Sequence, residues 1–120
     1  MSFLYVMLGG AFGATFRYLA GLILNKYFIH SFLTGSLLIN ITGSFLLAFI
    51  LQSASLGDNM KLVIATGFMG AFTTYSTFSY EILTHYSENS IYNALLYAFS
   101  MLFISFLATV LGFYLGKLVF

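Results

Sequence analysis

The chain has 120 residues, of which 61% are hydrophobic and 6% charged, with a formal net charge of +1. An ordinary soluble domain is about 25% charged, so this composition points away from a water-soluble fold and to an integral membrane protein. Sparse Lys and Arg argue against a nucleic-acid partner, and the lack of cysteine removes disulfides and thiolate metal sites. Four apolar windows reach the ~20 residues that a membrane helix needs, at roughly 3–24, 32–53, 61–84 and 92–117. Between them lie the short polar connectors "NKYFIH", "SASLGDN" and "HYSENS", so residues 1–120 read as a single four-helix transmembrane subunit.

The first span has no basic stretch before its apolar run and is followed by more spans, so it reads as a membrane helix and not as a cleaved export signal. Gly9, Gly13, Arg17 and Gly21 recur at intervals of four. The glycines form a face for close helix packing. Arg17 is a charge within the hydrocarbon, which costs about 2.5 kcal/mol or more and normally faces protein or water. It either snorkels toward the Lys26 end or attracts anions to a vestibule.

The second span sets Ser36, Asn40 and Ser44 four apart, with Asn40 between Ile39 and Ile41. The Asn40 amide has donors to place, either in an interhelical hydrogen bond or toward a permeating anion. The third span contains "GFMGAFTTYSTFSYE" at 67–81, dense in glycine, threonine and serine. Such residues hold a helix poorly, and a broken helix at membrane depth is tolerated only where its freed backbone is buried in protein or lines a polar cavity. The expectation is a third helix broken near its middle. Tyr75 and Phe78 follow, three apart, and ring edges present weak positive potential; ordinary packing is the alternative. In the fourth span Tyr97, Ser105 and Thr109 form a hydroxyl stripe interrupted by Met101, although hydroxyls are often satisfied by their own helix.

Lys61 and Lys117 fall toward one side, Lys26 and Arg17 toward the other. This even division favours no orientation, which fits either a subtler topology signal or insertion both ways up as an antiparallel dimer. The many intramembrane Gly, Ser, Thr and Asn residues need partners that a homo-oligomer would supply. No enzyme constellation is present. Asp58, Glu81 and Glu88 lie at or near span ends, and His30 and His85 lie in connectors without metal-ligand spacing.

Three segments in order, "GGAFGATFRY" at 9–18, "GSLLINITGSF" at 35–45 and "GFMGAFTTYSTFSYE" at 67–81, closely resemble the CrcB/Fluc fluoride channels. The resemblance extends over essentially the whole chain. It implies an all-α membrane protein, an antiparallel dual-topology homodimer with two fluoride pathways each lined by both subunits. It also implies that the third helix breaks at the dimer centre, where the backbone carbonyls of Gly70 and Thr73 hold a structural sodium ion. Asn40 matches the family's pore asparagine, Tyr75 and Phe78 its two pathway aromatics, and Arg17 its arginine near the pore mouth. Tyr75 stands where Phe is usual, and Ser36 where Thr is common. Tyr97 and Ser105 fall on the expected polar track, with Thr109 on the same stripe, while Met101 occupies a position where a hydroxyl can occur.

The implied function is passive export of fluoride through the cytoplasmic membrane of a prokaryotic cell, the lipid bilayer being the protein's surroundings. Two alternatives stay open. One is a subunit that conducts only beside a homologous partner chain. The other is a small multidrug exporter, which needs a membrane-embedded carboxylate that the first span lacks.

Overall fold

The computed structural model describes residues 1–28 and 34–120. His30 and the first residues of the expected second span, 32 and 33, lie outside them. The described residues are helical apart from short connections: α1 (Ser2–Tyr27), α2 (Gly35–Ile50), α3 (Asp58–Lys61), a π-helical segment (Leu62–Met69), α4 (Gly70–Phe72), α5 (Tyr75–Glu88) and α6 (Ile91–Val119). Two of these, α1 and α6, are long and apolar enough to cross a membrane, whereas α2 is a shorter apolar helix of 16 residues. The chain from α3 to α5 forms a third, bent helical unit, and with α1, α2 and α6 it makes a four-helix arrangement.

Side-chain caps fix where three helices begin. Thr34 accepts from the Leu37 amide (3.2 Å), Thr74 from the Thr77 amide (3.3 Å) and Ser90 from the Asn93 amide (3.3 Å). Each cap satisfies one of the orphan donors of a first helical turn. The Gly35 amide is bonded to Asn25 Oδ1 (3.1 Å), which ties the start of α2 to the end of α1.

The helices pack in two pairs, α2 along α6 and α1 along the π segment, and α5 closes against α6. Both pairs depend on backbone-to-backbone approach. A Cβ at Gly13 would run into the Phe68 carbonyl, and one at Gly112 into the Phe45 carbonyl. Small residues let membrane helices come this close. Gly21, expected on the same packing face, meets no neighbour within 4 Å among the described residues. Among the described residues the close contacts of this stripe fall at Gly9 and Gly13.

A small core joins three elements: Leu37 of α2, Phe78 of α5, and Tyr97 and Met101 of α6, with Ile41, Ile82 and Ala98 against it. Most other large apolar side chains are exposed, including Phe3, Phe12 and Phe16 on α1 and Phe99, Phe103 and Phe106 on α6. In water such surfaces would be untenable.

The expected break in the third helix is present, between α4 and α5. Gly70 is helical (φ −62°, ψ −35°), and the backbone leaves the helix three residues later, at Thr73 (φ −76°, ψ 156°) and Thr74 (φ −147°, ψ 123°). These are extended conformations that β-branched residues favour, so the threonines, and not Gly70, make the break.

The packing yields a paired prediction. Gly13→Ala should lower the unfolding free energy in mixed micelles by about 1–3 kcal/mol, as overpacking does. Gly21→Ala should be neutral or stabilising by up to about 1 kcal/mol, the helix-propensity gain. Equal effects at the two positions would contradict the packing described.

Candidate functional site

The interruption at Thr73–Thr74 releases backbone groups that must find partners. Asn40, buried in α2, supplies two of them. Its Oδ1 accepts from the Thr74 amide (2.8 Å), and its Nδ2 donates to the Thr74 carbonyl (2.9 Å). The side-chain amide thus mimics a peptide unit pairing with the broken strand of backbone. Because Oδ1 is held by an N–H, the orientation of the amide is fixed. Its remaining N–H points toward the Met101 sulfur (Nδ2···Sδ 3.6 Å).

Other groups complete the bend. Thr73 Oγ1 donates to the Met69 carbonyl (3.0 Å), closing the end of α4, and Arg17 Nη1 donates to the Thr73 carbonyl (3.3 Å). Arg17 therefore does not simply reach for the membrane surface. It is half-buried and anchored on the break itself.

Beside the break lies a cavity of ≈ 280 Å³ whose walls include Asn40, Thr74, Tyr75, Phe78, Met101 and Ser105. Among the described residues no charged side chain lines it. Tyr75 is 75% exposed and meets Phe78 edge-on, with centroids 5.7 Å apart at 65°. Phe78 is buried and backed by the Tyr97 ring (6.0 Å). A second cavity of ≈ 230 Å³ shares Thr74 with the first and is walled by Arg17, Asn25, Ser36 and Thr77.

Of the residues expected from sequence, Asn40, Thr73, Tyr75, Phe78 and Ser105 converge on the first cavity, and Arg17 and Ser36 on the second. Tyr97 and Thr109 line neither. Tyr97 is fully buried behind Phe78. Thr109 donates to the Ser105 carbonyl of its own helix (2.9 Å). Gly70 is exposed and helical.

Two residues of this polar system escaped the sequence reading. Glu81 accepts from Ser36 Oγ (2.8 Å) and from the Tyr97 hydroxyl, and Thr34 Oγ1 lies 3.3 Å from Glu81 and 2.8 Å from the Tyr97 oxygen. Glu81 thus gathers hydroxyls from α2, α6 and the residue preceding α2. The signal for it was its position three residues beyond Phe78, on the same helical face. Thr34 carried the helix-start signal of a capping residue.

Chemically, the first cavity combines an oriented amide N–H, a serine hydroxyl and aromatic rings without a fixed charge. That suits partial replacement of a small anion's water shell. Among the described residues no group of three or more His, Asp or Glu side chains could hold a metal ion.

Residues 4–113 match the family model described as "CrcB-like protein, Camphor Resistance (CrcB)". The chain is 41% identical over 122 aligned residues to a protein of Thermosipho melanesiensis named "Fluoride-specific ion channel FluC", covering 98% of this chain and 97% of that one. It is 40% identical to "Fluoride-specific ion channel FluC 2" of Clostridium acetobutylicum, covering 99% and 97%, and 36% identical to a FluC protein of Gloeothece citriformis, covering 98% of each. Matched at this identity from one end to the other, the chain belongs to the CrcB/FluC family of fluoride-specific ion channels.

Proposed function

We propose that this chain forms a fluoride-selective channel that exports fluoride passively across the cytoplasmic membrane and so relieves fluoride toxicity. The observation that carries the reading is the uncharged cavity at the helix break, where Asn40, Phe78 and Ser105 present partial donors side by side. The named relatives supply the ion.

Fluoride enters an acidified cell as the neutral weak acid and dissociates inside, which traps the anion unless a channel lets it out. It holds water tightly, so a pore must replace that shell, yet each site must bind weakly enough to release the ion. Amide and hydroxyl N–H and O–H groups and ring edges meet both demands, where a deep fixed cation would hold the ion. Thr74 pins Asn40 Oδ1 and takes one N–H, so the other N–H of the amide, and not its oxygen, is directed to Met101 in the cavity wall. Arg17, on the neighbouring cavity, raises the local anion concentration without entering the narrow part. Ser36 and Tyr97 belong to the same polar system through Glu81.

The working unit in this reading is an antiparallel, dual-topology homodimer. The exposed apolar faces of α1 and α6 and the even Lys/Arg distribution support it. A structural sodium ion at the dimer centre belongs to the same proposal, held by the carbonyls of Gly70 and Thr73. At Gly70 the backbone fits such a role. The Thr74 amide, which in an unbroken helix would bond the Gly70 carbonyl, goes to Asn40 instead and leaves that oxygen free of it. The Thr73 carbonyl accepts from the Arg17 guanidinium, a contact that a cation there would have to displace. Neutral carbonyls of an unwound helix suit a monovalent cation, which would tie the two breaks together.

Three outcomes are expected. Liposomes containing this protein alone should release fluoride rapidly and chloride not, read with ion-selective electrodes, and Asn40→Asp or Phe78→Ile should cut the rate at least about tenfold. A folded dimer that passes no fluoride would instead indicate a missing homologous partner chain. Arg17→Gln should slow efflux several-fold at about 10 mM ionic strength, with the gap closing near 1 M as screening shortens the field's reach. Replacing sodium with a bulky organic cation should weaken the dimer on size-exclusion chromatography or inhibit transport; if neither changes, no sodium is held there.

A further inference from the structure

We infer that Met101 sets the affinity of the pathway by lending its sulfur to the donors that a passing anion needs. The inference rests on the fluoride reading above and deepens it at one residue. Met101 is 3% exposed and belongs to the core with Leu37, Phe78 and Tyr97, yet it also forms part of the wall of the first cavity. Its sulfur lies 3.6 Å from Asn40 Nδ2 and 3.9 Å from Ser105 Oγ. Those two groups are the amide and serine donors of that wall. Both are turned onto the same atom.

The arrangement matters because of what each group would otherwise lack. Asn40 has two N–H donors, and the Thr74 carbonyl takes one of them. For the second N–H of Asn40, the sulfur is the acceptor. A thioether is a weak acceptor on a side chain with three rotatable bonds that adapts its shape readily. It therefore satisfies the donors loosely in the resting cavity and can swing away.

An anion entering the cavity must exchange with the sulfur at both donors. Fluoride, small and strongly accepting, gains from that exchange. Chloride, larger and a poorer acceptor, gains much less over a thioether. The net binding of fluoride is lowered by what the sulfur contact was worth, which keeps the site from holding the ion too long. A serine or threonine at this position would act in the opposite sense, since its hydroxyl adds a donor. On this account the departure at 101 from a hydroxyl is a change of mechanism within the track and not a gap in it.

Plain packing is the competing explanation, because methionine often serves only as a filler. The two are separated by removing the sulfur while keeping the shape. Fluoride efflux from liposomes is measured against internal fluoride concentration, beside a chloride control. The comparison uses protein containing methionine, protein in which norleucine replaces methionine, and Met101→Leu made in both forms. Leucine conserves volume closely. Norleucine should lower the half-saturating fluoride concentration about three- to fivefold, the scale of one weak hydrogen bond lost from the resting state, and should leave the fluoride-to-chloride ratio unchanged, since either ion displaces the same contact. Met101→Leu should shift it the same way, and norleucine should add nothing in that background.

An unchanged half-saturation with norleucine overturns the role of the sulfur while leaving the channel reading intact. A shift that persists between the two forms of Met101→Leu assigns the effect to another methionine and equally overturns it. If Met101→Leu does not fold, Met101→Ile takes its place in the same comparison of the two forms, and an unchanged half-saturation in the norleucine protein still overturns the inference. Fluoride retention by every folded form, methionine protein included, defeats the channel reading and this inference together.

Discussion

The reciprocal pair of hydrogen bonds between Asn40 and Thr74 is the constraint on which the rest of the structure depends. Breaking a helix at membrane depth exposes amide and carbonyl groups, each costing several kcal/mol if left unpaired in hydrocarbon. Here one buried side chain meets both at a single residue. That pairing lets the chain stop at Thr73 and restart as α5 in a new direction, capped by Thr74. The redirected α5 carries Phe78 into the core and Glu81 onto the hydroxyls of Ser36 and Tyr97. The cavity exists because the helix turns away there. The same amide that stabilises the turn therefore also forms the wall of the space it creates.

Much of this was legible in the sequence. The density of Thr, Ser and Gly at 67–81 announced the break, and an isolated Asn amid isoleucines announced a buried amide in need of partners, which the structure finds at the break. What the sequence could not place was the consequence of angular drift. An interval of four advances about 40° beyond a full turn, so a stripe at intervals of four spirals around its helix. Tyr97 and Thr109 are three such steps apart, about 120° around the axis. The two therefore face different directions, and each turns elsewhere. Ser36 lies on the second cavity, whereas Asn40 and Ser44 lie on the first.

Glu81 and Thr34 escaped for a different reason. Each reads locally as an end-of-span residue, and their relation to Tyr97 is set by how α2, α5 and α6 meet. The residue at which the helix opens is set in the same way: Asn40 reaches Thr74, and the partner decides where the helix leaves its course.

The π-helical segment Leu62–Met69 has a consequence of its own. Its wider turns accommodate the close approach of α1 at Gly13 and fix the rotation with which Thr73 and Thr74 emerge toward α2. The segment is thus an angular joint whose setting is counted in residues. Substitutions on its outward face can accumulate freely, whereas the loss or gain of a single residue would turn the break away from Asn40. Between the α1 contact and the break, the chain is tolerant of spelling and intolerant of length.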